Sequence, residues 1–163
     1  IRACQVRGPC GEVLYLTQVR AAVPPFDLPR CEAPVDRLFI PVLSTPSREQ
    51  SLAQYAAIAG TEGISFDTKV TVVNEARGYD MARRHPVAPL QLAGQSLLEL
   101  DQIADTAALP QAIYRGMACV ALEYSQGTGS ISPAAGVFAG RSVSPHTGHA
   151  GEHYTILHPH PKP

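Results

Sequence analysis

The stretch from Val87 to Ile103, VAPLQLAGQSLLELDQI, sets two short apolar runs on either side of Ala93-Gly94 and puts a carboxylate in the middle of the second run. This predicts two strands joined at the glycine. Alternate side chains of a strand point to opposite faces, so Gln95, Leu97, Glu99 and Asp101 share one face while Ser96, Leu98 and Leu100 share the other. A face bearing Gln, Glu and Asp is costly to bury unless it lines a wet cavity or binds something. The plain alternative is an edge strand whose polar face lies in water.

Two further stretches have a similar shape, GPCGEVLYLTQV from Gly8 to Val19 and GHAGEHYTILHP from Gly148 to Pro159. Aligning them by glycine matches Gly11-Glu12, Gly94-Gln95 and Gly151-Glu152. Recurring units point to repeat-built folds.

With 163 residues the chain suits one domain, or two small modules sharing a core. It holds no run of about 20 apolar residues, so no membrane span is expected. Thirteen basic residues balance fourteen acidic ones for a net charge of -1, without any basic cluster, so a nucleic-acid surface is not expected either. Cys4, Cys10, Cys31 and Cys119 have neither CxxC nor zinc-finger spacing. They read as reduced thiols of a cytoplasmic protein, three of them buried. The chain opens without Met inside a predicted strand, as a processed or excerpted piece would.

In chain order, Ile1 to Val6 and Glu12 to Val19 read as an antiparallel pair. Ala21 to Pro34 holds Pro24, Pro25, Pro29 and Pro34 and can be neither helix nor central strand, so it is a linker. Val35 to Leu43 reads as a strand interrupted by Pro41. Ser44-Thr45-Pro46 starts a helix that runs to Ala59, with Leu52, Tyr55, Ala56 and Ala59 on one stripe and Gly60 ending it. Ile64 to Asn74, rich in β-branched residues, reads as a strand, and Glu75 to His85 as a loop with a helical turn. Beyond Ile103, Tyr114 to Tyr124 reads as a strand and Gln126 to Gly136 as a flexible Gly/Ser segment. Val137 to Val143 and Glu152 to Leu157 read as a last hairpin, followed by a disordered HPHPKP tail.

VDRLFIPVLSTPSREQSLAQYAAIAG followed by LQLAGQSLLELDQI resembles the βαβββ module of the glyoxalase/bleomycin-resistance/extradiol-dioxygenase superfamily, the vicinal oxygen chelate proteins. The resemblance covers Val35 to Ile103. It implies an α+β fold in which a curved, mostly antiparallel sheet pairs with a second module, in the chain or in a homodimer, to enclose a cup for a small molecule. On this reading residues 35–125 form the module. Residues 1–20 resemble the end of a preceding one, and 126–163 form a Gly/Pro/His-rich segment with a closing hairpin.

Members of the superfamily bind a divalent metal through a His or Glu early in the first strand and a Glu in the fourth. Glu99 matches the fourth-strand ligand. The first-strand position falls near Arg37, between Asp36 and Leu38, and a guanidinium has no lone pair to offer a metal. The cofactor therefore stays open, and the expectation is a Glu99–Arg37 ion pair. The equivalent points in the flanking halves are Tyr15 or Leu14, and Tyr154. His146, His149, His153, His158 and His160 offer a second, compositional metal candidate against adventitious binding. There is no GxSxG, and Gly127-Thr128-Gly129 lacks the residues of a phosphate loop.

The resemblance implies a protein that binds or transforms a small carbonyl, enol or aromatic compound. Glu99, Gln95 and Arg37 would line the cup, and Asp101 and Tyr15 would add ligand contacts. As an enzyme it would be a lyase, isomerase or dioxygenase with Glu99 as general base or metal ligand. The rivals are a metal-free binding or sequestration protein and a half-molecule that works only when assembled.

Overall fold

The computed structural model describes residues 1–9, 12–103, 143–149 and 152–157. The fold is α+β. Its centre is a four-stranded sheet made by β3 (Val42–Thr45), β4 (Phe66–Thr68), β5 (His85–Gln91) and β6 (Leu97–Gln102), in the order β3-β6-β5-β4. β3 runs parallel to β6, and the other two pairings are antiparallel. Two antiparallel hairpins flank it, β1 (Arg2–Arg7) with β2 (Val13–Gln18) and β7 (Val143–Thr147) with β8 (His153–Leu157).

The helix α1 (Arg48–Ala59) follows β3 and covers one sheet face. Ser47 caps its start by accepting from the Gln50 amide at 3.3 Å, and Gly60 ends it at φ 66°, where a side chain would strain the backbone. The helix thus begins just after the predicted Pro46, because Thr45 belongs to β3 and its hydroxyl is bound to that of Ser51 at 2.7 Å. The expected stripe faces inward. Leu52, Tyr55 and Ala56 pack on Ala88, Leu90, Leu98 and Leu100, and Ala59 is buried. The Tyr55 hydroxyl donates to Glu152 Oε1 at 2.6 Å and ties the C-terminal hairpin to α1.

Several boundaries differ from expectation. Pairing with β6 begins only where the Phe39 and Pro41 carbonyls accept from Leu97 and Glu99, and Val35 and Leu38 are each 80% exposed, so the strand lies later than Val35–Leu43. Only Phe66–Thr68 of the predicted Ile64–Asn74 strand pairs. Its end is instead the helix α2 (Thr71–Arg77), closed by Gly78 at φ 64° with Tyr79 N donating to Asn74 O at 2.8 Å. Cys4 and Cys31 are exposed free thiols, because β1 belongs to a two-stranded hairpin and Cys31 to the linker, which contradicts three buried cysteines.

The hairpins also align differently. Gly8 N donates to Glu12 O, Leu92 N to Ser96 O and Gly148 N to Glu152 O, at 2.8, 2.7 and 2.9 Å. Gly94 therefore corresponds to positions 10 and 150, one residue from the match by glycine, and Glu99 corresponds to Tyr15 and Thr155 rather than Leu14 or Tyr154. The expected strand Tyr114–Tyr124, the Gly/Ser segment and the tail lie outside the described residues. No helix of the described residues is long and apolar enough to cross a membrane.

Candidate functional site

Sheet register decides which side chains share the face turned away from α1. Glu99 pairs with Val42 on one side and Pro89 on the other, and Asp101 pairs with Ser44 and Val87. Directly paired residues point to the same face. One face thus carries Val42, Ser44, Leu97, Glu99, Asp101, Val87, Pro89 and, at its far end, His85 with Thr68. The opposite face carries Leu98 and Leu100, which α1 covers. Alternation in LLELDQ therefore places both carboxyl groups on the side turned away from Leu98 and Leu100, as the sequence predicts.

Glu99 and Asp101 are hydrogen-bonded to each other. Asp101 is 3% exposed, and its Oδ1 has no hydrogen-bond partner among the described residues. Burial, then the Glu99 charge and the bond between them, push Asp101 from 3.8 to about 7. Burial also raises Glu99, opposed by the bond it accepts from Asp101. Two adjacent carboxyl groups with little solvent cannot both ionise cheaply, so burial and mutual repulsion favour a pair that shares one proton, with Asp101 the stronger holder of it.

Tyr15 on β2 lies close enough to feel the charges of this pair. Its phenol is raised to about 12, by burial first and then by the charges of Asp101 and Glu99, while a hydrogen bond with Gln5 acts the other way. Gln5 is the cross-strand partner of Tyr15 on β1. Its Oε1 accepts from Thr71 Oγ1 at 2.7 Å and from Val72 N at 2.9 Å, which fastens the N-terminal hairpin to α2.

The remaining expected residues lie elsewhere. Gln95 is in the turn at φ 64°, and its amide donates to Asp27 Oδ1 at 3.0 Å, so the linker rather than a ligand takes it up. Arg37 is exposed, 3.9 Å from Asp36. It precedes Val42, the residue paired with Glu99, by five positions, or roughly 16 Å along an extended chain. No guanidinium stem spans that, and Glu99 pairs with Asp101 instead.

At the other end of the face lies a feature not foreseen from the sequence. His85 is buried, and its Nε2 lies 2.7 Å from Asn74 Oδ1, while Asn74 Nδ2 donates to Arg83 O at 3.0 Å. Asn74 therefore accepts and His85 Nε2 donates. Burial, and secondarily Arg83, lowers the His85 pKa and favours the neutral ring. The histidine content of the neighbouring β5 was visible in the sequence, but not its partner.

The donor set does not suit a divalent cation. No three His, Cys, Asp or Glu converge among the described residues, and the first-strand positions opposite the carboxyl pair are Val42 and Ser44. His146 and His149 are exposed near the β7–β8 turn, and among the described residues they belong to no group of three metal-ligating side chains. A shallow groove between α1 and that turn, lined by Gln50, Gln54, Thr147 and His149, is on the opposite side of α1's sheet from Glu99. What the face turned away from α1 offers chemically is two neighbouring carboxyl groups, with apolar Val42, Val87 and Pro89 beside them. No family model, no curated protein and no solved structure matches the chain.

Proposed function

We propose that the chain is a glyoxalase-like protein whose sheet face turned away from α1 binds a small carbonyl, enol or aromatic compound and moves a proton on it. The observation that carries this reading is the register that sets Glu99 and the buried Asp101, whose Oδ1 has no partner among the described residues, side by side on one face. The parallel pairing of the first strand of the βαβββ order with its last, β3 with β6, supports the superfamily part of the reading.

In this scheme the Glu99 carboxylate takes a proton from a carbon next to a carbonyl, and the electron pair moves onto the carbonyl oxygen. Tyr15, neutral at any physiological pH, donates a hydrogen bond to that oxygen. Asp101 keeps its own proton and donates it as a hydrogen bond to Glu99, which fixes the carboxylate's orientation and tunes its basicity. No step needs a metal.

The test is ligand-observed NMR in D2O with a panel of small ketones, enols and phenols. Some ketone should bind and exchange its α-hydrogen for deuterium. Glu99→Gln should slow that exchange by about 10²–10⁴-fold, the usual contribution of a general base, with the fold intact. Binding that survives Glu99→Gln without any exchange in either protein would instead favour the sequestration reading. If no member of the panel binds, the proposal is wrong.

A further inference from the structure

The N-terminal hairpin and the β5–β6 hairpin share one register but not one cover. The pairs Arg7↔Val13 and Gln91↔Leu97 close turns of the same length, so Cys4, Val6, Leu14 and Leu16 stand where Ala88, Leu90, Leu98 and Leu100 stand in β5–β6. That second set is the core cluster on which α1 packs. Leu90 and Leu100 are 0% exposed, whereas their counterparts Val6 and Leu16 are 38% and 51% exposed, and Cys4 is exposed as well. The apolar set does not come with the hairpin shape, because β7–β8 has Ser144, His146, Tyr154 and Ile156 at these positions. The other face of the N-terminal hairpin is the one fastened to α2 through Gln5, so this set looks outward.

A second correspondence lies at the open end of the hairpin. Gln102 caps the start of α1, its Oε1 accepting from the Arg48 amide at 2.9 Å. The same register puts Gln18 at that place in the N-terminal hairpin. Its Oε1 accepts from Arg20 Nε at 2.9 Å, an exposed contact that a backbone amide can replace. A helix N-terminus brings unpaired amides and a partial positive charge, which an amide oxygen complements. We infer that the outer face of β1–β2 is a seat for an amphipathic helix of a partner protein. That helix carries a stripe of the Leu52–Tyr55–Ala56–Ala59 type and lies with its N-terminus over Gln18. A second copy of the chain does not supply it from α1, whose stripe is already committed to its own sheet. Nor does α2 serve, since it has seven residues and meets Gln5 at its first turn. A two-stranded hairpin is marginal in water alone, so covering this face also steadies the hairpin.

The probe is a peptide with the sequence of residues 47–60, the chain's own example of such a helix. A peptide this short forms little helix in water, so it is stapled between positions 53 and 57, both exposed in α1. Titrated into the isotope-labelled full chain, it should give saturable amide shifts at Cys4, Val6, Leu14, Leu16 and Gln18, with β5 and β6 unmoved. Leu16→Asp, at a position already half exposed, should keep the melting temperature and weaken binding at least about tenfold. Leu52→Asp in the peptide should do the same. Gln18→Ala should weaken binding about fivefold, the scale of a lost helix cap. A spin label on the peptide's N-terminus should broaden the Gln18 signal. One on its C-terminus should broaden Gly8, because α1 itself ends toward the β5–β6 turn, where Thr61 Oγ1 donates to Gln91 O at 3.2 Å.

Cys4→Lys, at the exposed thiol in the middle of the seat, serves if Leu16→Asp fails to fold, and it should weaken binding to a similar extent. The absence of saturable shifts in the hairpin overturns the inference. So do shifts confined to β5 and β6, which would mean that the peptide only displaces α1. Sedimentation of wild type as a larger species than Leu16→Asp, with no peptide shifts in the hairpin, would show that a second copy covers this face and no partner helix does. Binding at the hairpin with the two spin-label patterns exchanged overturns the orientation and the role of Gln18. None of these outcomes touches the reading of the Glu99 face, on which this inference does not rest.

Discussion

Replacing Asp101 by asparagine removes a titrating group while keeping its size and its ability to donate to Glu99. Asp101 holds its proton up to about pH 7 in the folded chain, whereas its ordinary value is 3.8. Between those two pH values the unfolded chain has released a proton that the folded chain keeps. The folded state binds more protons there, so stability falls as pH rises, by 1.36 kcal/mol per pH unit. Across the window this reaches roughly 4 kcal/mol as a ceiling, fully present below 3.8 and lost once pH passes about 7. Glu99, also raised, acts in the same direction. His85 acts oppositely: burial holds its pKa low, so the unfolded chain takes up the proton first and stability is lost as pH falls below about 6.5. Wild type and Asp101→Asn share that histidine, so it cancels in their difference. Urea unfolding of both proteins from pH 4 to pH 9 gives the difference curve. Asp101→Asn should lack the downward slope from pH 4 to 7 and should equal or exceed wild type in stability at pH 8. A difference that does not vary with pH would show that Asp101 is ionised normally and would refute the shared-proton site.

The packing makes two further predictions. Leu52 is half-buried against the Leu90–Leu98–Leu100 cluster, so Leu52→Ala should cost about 2 kcal/mol in urea unfolding, and a change below about 0.5 kcal/mol would contradict its placement. A Cβ at Gly63 would fall 2.5 Å from Leu52 Cδ1 and 3.2 Å from the Pro89 carbonyl. The leucine tip can swing aside but the carbonyl cannot, so Gly63→Ala should cost about 1–3 kcal/mol, and less once Leu52→Ala has removed the first clash.

What the sequence reveals and what it hides differ by range. Gly60 and the Leu52–Tyr55–Ala56–Ala59 stripe are local signals that α1 follows to the residue, while its start falls at Arg48, with Ser47 as cap, two residues after the expected Pro46. Alternation in LLELDQ likewise places Glu99 and Asp101 on the face opposite Leu98. The segment TVVN, by contrast, has β-branched residues and yet turns helical in α2. Asn74 there is fully buried on His85 and Arg83, and Gly78 with Tyr79 caps the turn, so tertiary contacts override strand propensity. The Arg37–Glu99 expectation fails for want of register, since no local pattern says that Val42 is the residue level with Glu99. Gln5 is invisible for the same reason: its partners Thr71 and Val72 lie 66 and 67 positions away.

Register also accounts for the chemical make-up of the site. The closing pairs Arg7↔Val13, Gln91↔Leu97 and Thr147↔His153 each enclose the same length of connection. Tyr15 and Glu99 therefore occupy the same position in two equivalent hairpins, and the charge of Glu99 reaches the Tyr15 phenol. A second glutamate in place of Tyr15 would set a third acid beside a pair that already holds only one charge, in a site where the described residues supply no cation. Either that acid or Asp101 would then stay protonated well above neutrality, and Glu99 would lose its defined partner. A phenol raised to about 12 avoids the conflict. It stays uncharged at physiological pH, which leaves the proton of the Glu99–Asp101 pair as the one that titrates near pH 7 on this face of the described sheet.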